Sequence, residues 1–358
     1  MKNYLKKIIP KSMFLLIKKY VISVNSIIYK ICASNRFFSV LYYVFLSRSF
    51  YRECQSVISG KSSYYSSLKN NNDFEFLLRR NIHRIEKGLI MIPRRPVFAR
   101  DYIVETVEAF RDFSNQQNKS NLSQEYFWYK DVLDEYFLAV DNSESTVKKA
   151  KLIYSQSNNK NESNQVKRKP YVRDFKNKIA YDDMYELSRQ RRSVRWFEQR
   201  KVDRDLLDKA FLVANQSPSA CNRQPFEFLV YDNAEMVRKI SNCSIGMTGF
   251  KENVPGIIVL KGNLNAYFSE RDRHIIYIDG GLAAMSFMFA LETLGLSSCP
   301  INWPDVEKNE KKLANLLRLE KYERPIMLIA YGYPNKNALV PYSEKKSLNN
   351  IRRYDNTN

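Results

Sequence analysis

The chain has 358 residues, of which 44% are apolar, enough for a sizeable core in two domains or in one domain with a long extension. Its formal net charge is +20, and half of that excess lies in residues 1–52, which hold ten Lys or Arg and no acid. This uneven charge argues against a protein that coats nucleic acid, while two His and five Cys without a C-x-x-C spacing argue against a His-based metal site and for reduced thiols in the cytoplasm.

Residues 1–54 are predicted to form a basic amphipathic arm. Lys side chains interrupt the apolar residues of positions 1–31, which argues against a spanning helix and against a signal peptide. The apolar run at positions 37–46, FFSVLYYVFL, is too short to span a bilayer. A basic, aromatic-rich segment can lie among lipid headgroups, so we expect peripheral contact of residues 1–50 with the inner face of the membrane. The alternative is that these helices pack on the rest of the protein, with Lys facing water.

The next region is predicted to be a helical extension, residues 73–140, after a polar linker at 55–72. Asp73 is a candidate cap for a helix that ends at Gly88, and two further helices follow at 102–113 and 124–140. Charged residues of the first helix, such as His83 and Glu86, could clamp a substrate. The favoured interpretation is a structural helix with a solvated charged side. Residues 141–178 are predicted to be a second polar linker.

The C-terminal region begins with two turns separated by one amphipathic helix at residues 202–216. The first turn has the sequence RRSVRWF (191–197), and the second has the sequence SPSACNRQP (217–225). Arg side chains offer a planar fork of donors that suits a phosphate dianion, and Ser, Asn and Gln suit a flat heterocycle with polar edges. The alternative is an ordinary solvated helix end and a plain loop. Cys221 is a weak candidate nucleophile because neither His lies near it in sequence.

Further on, the pattern predicts a helix at 182–189, strands at 226–231 and 257–261, and a long apolar helix at 275–294. In this order and spacing, the two turns resemble the opening motifs of the FMN-dependent nitroreductase family, R-x-S-x-R/K-x-F and S-P-S-x-x-N-x-Q-P. Four later stretches are similar to the family as well: DGGLAA (279–284) to the family's central dimer-interface helix, SSCPINW (297–303) to its strand beside flavin N5, PIMLIAYGYP (325–334) to its late strand ending in G-Y-P, and KKSLNN (345–350) to its basic C-terminal signature.

The resemblance implies an α+β fold for residues 179–358, with a central, mostly antiparallel sheet flanked by helices and a long helix at a homodimer interface. A mainly α-helical region precedes it here. The implied FMN-binding residues fall in four groups: the phosphate, ribityl and O2 contacts of the first turn, the ring contacts of the second turn from the other subunit, the N5 face, and a second phosphate anchor. In that order they are Arg191, Arg192, Ser193 and Arg195; Pro218, Ser219 and Asn222; Pro300, Ile301 and Asn302; Lys345 and Lys346.

The implied activity is that of an FMN-dependent oxidoreductase. Flavin N5 takes a hydride from NAD(P)H and passes it to an electron-poor or unsaturated small molecule, so no side-chain acid or base is demanded. Asn302-Trp303 departs from the acid or Gly common in the family, which leaves the active-site floor and the substrate open, and no ring contact is matched before the strand at 257–261. The alternative function is a non-catalytic flavin- or ligand-binding module of a membrane-associated assembly, for example in glycan biosynthesis. Nucleic-acid binding rests on net charge alone.

Overall fold

The computed structural model describes residues 10–70, 74–117, 122–156, 167–173 and 178–355, and the chain divides into two compact units, Met1–Gln55 and Ser56–Asn358. The helices are α1 Lys11–Ala33, α2 Arg36–Leu41, α3 Tyr51–Asn70, α4 Glu75–Leu89, α5 Ile103–Gln116, α6 Gln124–Ala139, α7 Ser145–Gln156, α8 Tyr181–Gln190, α9 Arg204–Ala214, α10 Ala234–Ser241, α11 Ile275–Thr293, α12 Glu307–Leu317 and α13 Leu348–Ile351. The strands are β1 Phe226–Tyr231, β2 Gly256–Asn263, β3 Ser297–Asn302 and β4 Glu323–Gly332.

The N-terminal unit is a helical arm, and none of its described side chains is buried. The N-cap Asn35 accepts a hydrogen bond from the Phe37 N–H at 2.8 Å and starts α2, which continues into a π-helical turn over Tyr42–Ser47. The segment Ser12–Ala33 is long and apolar enough to cross a bilayer, with a mean hydropathy of 1.2 and none of it buried. The charges of this segment therefore do not by themselves exclude a span, and the prediction against one stays a prediction. Glu270–Thr293 passes the same test, but half of it is buried.

Helices α4 to α7 pack around one apolar core within the second unit. Leu78, Ile82 and Ile85 of α4 recur at helical spacing, and all three are fully buried against α5 and α6. The Ser123 hydroxyl accepts from the Tyr126 N–H at 3.2 Å and caps the start of α6. The three helices predicted between residues 73 and 140 are confirmed, with ends shifted by one to three residues. The candidate cap Asp73 lies outside the described residues.

Both linker predictions are wrong in part: each segment contains a helix, whereas residues 141–144 and 167–173 have neither helix nor strand. Residues 55–70 belong to α3, and residues 145–156 form α7, which buries Val147, Ala150 and Tyr154 in the core of the helical region. In α7 the Ser and Lys residues obscured an apolar spacing of three and four residues, and of its apolar side chains α3 buries only Val57 and Tyr64, seven residues apart. In α3, Gly60 allows close approach, since a Cβ there would lie 2.7 Å from the Leu264 main chain. Residues 157–166 and 174–177 of the second predicted linker lie outside the described part of the chain.

The four strands form one antiparallel sheet in the order β1–β2–β4–β3. The central strand β2 is buried on both faces, and alternate residues therefore enter different cores. Ile258 and Leu260 face α9 and α11, whereas Ile257 and Val259 face α10 and α12. Across the first of these layers the rings of Phe211 and Phe287 stack at 4.7 Å. The predicted α+β class with a mostly antiparallel sheet is confirmed.

One side of α11 is not covered by any element of the described residues. The helix is apolar around its whole circumference, a composition typical of helices buried on all sides. Yet Ile278 is 56% exposed and Leu282 43%, and Met285 and Phe289 continue the same stripe half-buried. The stripe follows the three- and four-residue spacing of a single helix face.

Candidate functional site

The first turn is held by its apolar residues and presents its polar ones. Val194 and Phe197 are buried in the sheet core, and the Val194 N–H donates to the Ser298 carbonyl at 3.0 Å. Ser193 forms a parallel bridge with Ser298, so the turn continues the sheet beyond the edge strand β3. Arg191, which caps the C-terminus of α8, is half-buried, and the remaining predicted residues of the turn, Arg192, Ser193 and Arg195, are half-buried as well.

A segment before β2 completes this turn. The Phe197 N–H donates to Asn253 Oδ1 at 2.6 Å. The Arg195 guanidinium lies 5.8 Å from the ring centroid of Phe250, and its Nη1 donates to the Ser193 carbonyl at 3.2 Å. Sequence reasoning found no family match in this segment and missed both Phe250 and Asn253. No residue pattern in this segment indicates that it packs against the first turn.

Unpaired buried polar atoms gather beside this turn. Arg191 Nε, Ser298 Oγ and Glu292 Oε1 are all buried without a hydrogen-bond partner among the described residues. Burial raises the pKa of Glu292 to about 7, although the Ser297 hydroxyl, 3.4 Å away, and the charge of Arg191 favour the ionised form. Buried polar groups in folded proteins are nearly always paired. The leftover donors on Arg191 and Ser298 therefore fit an anionic ligand such as the phosphate of FMN.

Strand β3, the edge strand on which the first turn pairs, carries Pro300, Ile301 and Asn302. The side chains of Cys299 and Ile301 enter the apolar core, where burial raises the pKa of the Cys299 thiol. By strand alternation, half-buried Pro300 and exposed Asn302 lie on the opposite face. Ile301 can thus line a cofactor only through its main chain.

Trp303 is a core residue and does not form an open floor. It is 7% exposed, and its indole N–H donates to Glu310 Oε1 at 2.7 Å. Glu310 lies 3.6 Å from Arg324 Nη2, which also pairs with Asp305 at 3.0 Å. The bulky residue that departs from the family pattern is explained by this buried polar network.

The second turn lies along α11 and is conformationally strained. The Ser217 and Ser286 hydroxyls are 2.8 Å apart, and the Ala220 N–H donates to Asp279 Oδ2 at 3.0 Å. Cys221 (φ 55°), Asn222 (φ 50°) and Gln224 (φ 50°) all adopt the left-handed conformation without being glycine. Pro218 is exposed, and Ser219 and Asn222 are half-buried. Left-handed non-glycine residues concentrate at functional sites.

The two turns are separated within one chain. The second turn contacts Asp279 near the start of α11, and the first lies beside Glu292 near its end. Asp279 lies 13 residues before Glu292 in the helix, about 20 Å along its axis, whereas Ser286, which contacts Ser217 of the same turn, lies six residues before Glu292, about 9 Å. The structure thus assembles the first-turn and β3 residues but not Pro218, Ser219 and Asn222 with them.

The predicted C-terminal anchor also stays apart from the first turn in one chain. Lys345 and Lys346 are exposed on a segment that is exposed from Leu339 to Asp355. Among the described residues, no hydrogen bond or ion pair joins either lysine to the first turn. Their assignment to the phosphate remains a prediction.

A residue of the helical extension, Arg79, reaches the second turn and was missed by sequence reasoning. Arg79 is 7% exposed. Its Nε donates to the Asn222 carbonyl at 2.9 Å and its Nη2 to Gln224 Oε1. Arg79 and Asn222 are 143 positions apart, and no sequence pattern predicts a contact between them. By contrast, Glu86 accepts from the Trp128 indole at 2.9 Å, which favours the structural interpretation of the His83–Glu86 pair.

Comparison with known proteins assigns the C-terminal half. The family model for the nitroreductase family matches residues 188–248 and 248–333. Iodotyrosine deiodinase of Thermotoga neapolitana is 31% identical over 172 residues, 42% of this chain and 89% of that protein. FMN reductase [NAD(P)H] of Bacillus subtilis is 25% identical over 181 residues, 46% of this chain and 72% of that protein. Among solved structures, a nitroreductase family protein from Clostridium novyi NT is 27% identical, with a TM-score of 0.39 over 42% of this chain and 85% of its own.

The matched region is that of an α+β oxidoreductase. The chain belongs to the nitroreductase family, and the resemblance seen in its motifs is confirmed. Residues 1–187 lie outside the family match.

Proposed function

We propose that the protein is an FMN-dependent oxidoreductase that transfers a hydride from NAD(P)H to an electron-poor or unsaturated small molecule. The observation that carries this proposal is the first turn, where Ser193 bridges to Ser298 of β3 and the donors Arg191 Nε and Ser298 Oγ have no partner among the described residues. The names of the relatives support it, because one is an FMN reductase that uses NAD(P)H.

The residues of the site would divide the work of holding the cofactor. FMN, when bound, supplies the hydride chemistry at its N5 atom. Arg191, Arg192 and Ser193 would bind its phosphate and ribityl groups with fixed positive charge and donors. Arg195, held between the Ser193 carbonyl and the ring of Phe250, would place a cation near the N1 and O2 edge of the reduced flavin. A cation in that position stabilises negative charge without any proton transfer from the protein.

A homodimer would complete the site. The exposed apolar stripe on α11 is suited to a second copy of itself, since small and apolar residues let two helices approach closely across a two-fold axis. The separation along α11 between Ala220, which contacts Asp279, and the first turn, which lies beside Glu292, is then explained, because Pro218, Ser219 and Asn222 would contact the flavin of the partner. The exposed segment with Lys345 and Lys346 would supply the second phosphate anchor in the same way.

The proposed hydride transfer restricts the substrates to reducible aromatic or unsaturated compounds. Nitroaromatics and quinones fit a hydride acceptor, and halogenated phenols join them because several relatives are named iodotyrosine deiodinases. Asn302, exposed at the end of β3, is the polar residue placed to meet such a substrate. A panel of these compounds, each tested as oxidant of the reduced protein, would rank the classes.

Cofactor uptake tests the proposal. Purified protein is titrated with FMN, with flavin fluorescence as the readout, and then assayed for NAD(P)H oxidation. Arg191→Gln should weaken FMN binding about tenfold or more, because a charge-assisted bond to phosphate is lost. Arg200→Gln is the control, since Arg200 is exposed and stacks on Tyr333 outside the turn. A wild-type protein that takes up no FMN would contradict the proposal.

We also propose a cytoplasmic location with peripheral contact to an anionic bilayer. The support is the described arm, which buries none of its apolar side chains and carries Lys and Arg but no acid before Glu53, a composition that suits anionic lipid. The five Cys are all free, as expected in a reducing compartment. The full chain should float with vesicles of phosphatidylcholine and phosphatidylglycerol, and a chain lacking residues 1–50 should not. Equal flotation of both chains would contradict it, and resistance to alkaline carbonate would indicate a spanning helix instead.

The alternative, a non-catalytic flavin- or ligand-binding module in a membrane-associated assembly such as one for glycan synthesis, shares the membrane contact. It differs in that bound flavin would not be reduced by NAD(P)H.

A further inference from the structure

Arg79 links the helical extension to the second turn. Helix α4 packs directly on residues 220–222. The guanidinium of Arg79 uses two of its donors on this turn, one for the Asn222 main-chain carbonyl at 2.9 Å and one for the side chain of Gln224. A planar fork that binds two acceptors at once fixes both their distance and their orientation.

The turn needs such support from outside because its own conformation is strained. Cys221, Asn222 and Gln224 are held at positive φ, which non-glycine residues adopt only when their surroundings impose it. From the α11 side, Asp279 accepts the Ala220 N–H at 3.0 Å. From α4, Arg79 donates to the carbonyl of Asn222 itself. The turn is therefore hydrogen-bonded to two helices, α4 and α11. Only α11 lies in the region that the family model matches.

Arg79 is itself held in place by α6. Its Nη1 lies 3.6 Å from Glu125 Oε1, and its guanidinium carbon lies 5.5 Å from the ring centroid of Trp128. With 7% exposure, the side chain has little freedom to reorient. The position of the fork is thus set by the packing of α4 on α6, which belong to one apolar core.

We propose that Arg79 is a positioning residue for the flavin site. Through it, the helical region of residues 74–156 fixes the backbone of Asn222 where the second turn meets the flavin ring. This inference rests on the proposed function, since Asn222 matters to catalysis only if the turn contacts FMN. The role of this helical region would then be to fix one part of the cofactor site.

The test compares Arg79→Met with Arg84→Met in the full chain. Arg84 is a suitable control because it is on the same helix and stacks on Tyr102 at 3.6 Å, within the helical region. In Arg79→Met, the Kd for FMN should rise about tenfold, the loss expected when a bond from a charged donor is removed. The visible circular dichroism of the bound flavin should change, and kcat should fall with little change in the KM for NAD(P)H. Arg84→Met should keep the wild-type flavin spectrum and Kd, even if both variants lose thermal stability equally.

Conservative replacement separates positioning from simple folding. Arg79→Lys keeps the charge but loses the fork, so its FMN affinity and flavin spectrum should fall between those of wild type and Arg79→Met. If Arg79→Met does not fold, Arg79→Lys alone must show the altered spectrum. A wild-type Kd and flavin spectrum in the folded Arg79 variants would overturn the inference while leaving the proposed function intact. A wild-type protein that binds no FMN would end both.

Discussion

Glu292→Gln tests the electrostatics beside the first turn. Glu292 is partly buried, one of its carboxyl oxygens has no partner among the described residues, and its pKa is raised from 4.5 to about 7, mainly by burial. Because the folded state binds its proton more tightly than the unfolded state, ionisation of Glu292 destabilises the fold as pH rises from about 4.5 to about 7. The loss is complete above that range and absent below it.

The size of the effect follows from the shift. The rise of the Glu292 pKa from 4.5 to about 7 sets an upper limit of about 3.4 kcal/mol on the free energy of unfolding that its ionisation removes. The partial exposure of Glu292 to solvent and the nearby charge of Arg191 reduce it, so we expect about 1–2 kcal/mol. Glu292→Gln, which cannot ionise, should therefore be more stable than wild type by that amount at pH 8 and nearly equal to it at pH 5.

The assay is urea unfolding of both proteins at pH 5, 6, 7 and 8. Glu252→Gln is the control, because it removes the same charge from an exposed position. A stability difference between Glu292→Gln and wild type that does not change with pH would refute the reasoning, as would an equal pH dependence in Glu252→Gln.

Three further predictions concern the scaffold of the site. Asn253→Ala removes the acceptor of the buried Phe197 N–H and should lower the free energy of unfolding by about 1–3 kcal/mol, measured by chemical unfolding; a loss below about 0.5 kcal/mol would contradict this. Glu310→Gln leaves the buried Arg324 undercompensated and should cost about 3 kcal/mol, whereas an unchanged Tm would show that the pair is not coupled. Leu282→Arg, on the exposed stripe of α11, should convert a dimer into a folded monomer by light scattering, and a dimer that survives the change would place the interface elsewhere.

The C-terminal elements were predictable because their patterns are local. The strand at 226–231 and the long apolar helix at 275–294 have the ends that the sequence predicts, to within one residue. The turn motifs, ordered along the chain, were sufficient to identify the family. Burial of Ile301 and of Trp303 was not predictable, because it depends on which face of β3 meets α12 and on a buried carboxylate seven residues away.

The errors in the N-terminal half have a different physical origin. Helices α3 and α7 carry many Ser and Lys residues, so composition indicated linkers, although α7 docks through Val147, Ala150 and Tyr154 and α3 buries Val57 and Tyr64. The role of Arg79 depends on a tertiary contact between distant segments, and no local pattern encodes it. The strain at Asn222 is likewise visible only in the backbone angles.

Anaerobic reduction of the FMN-loaded protein tests the central claim most directly. NADH or NADPH is added in the absence of oxygen, and the visible absorbance of the bound flavin is followed. We predict rapid bleaching and recovery of the absorbance when an oxidant such as a quinone or nitroaromatic is added. Flavin that remains oxidised with both nicotinamides would contradict the oxidoreductase proposal and favour a binding module.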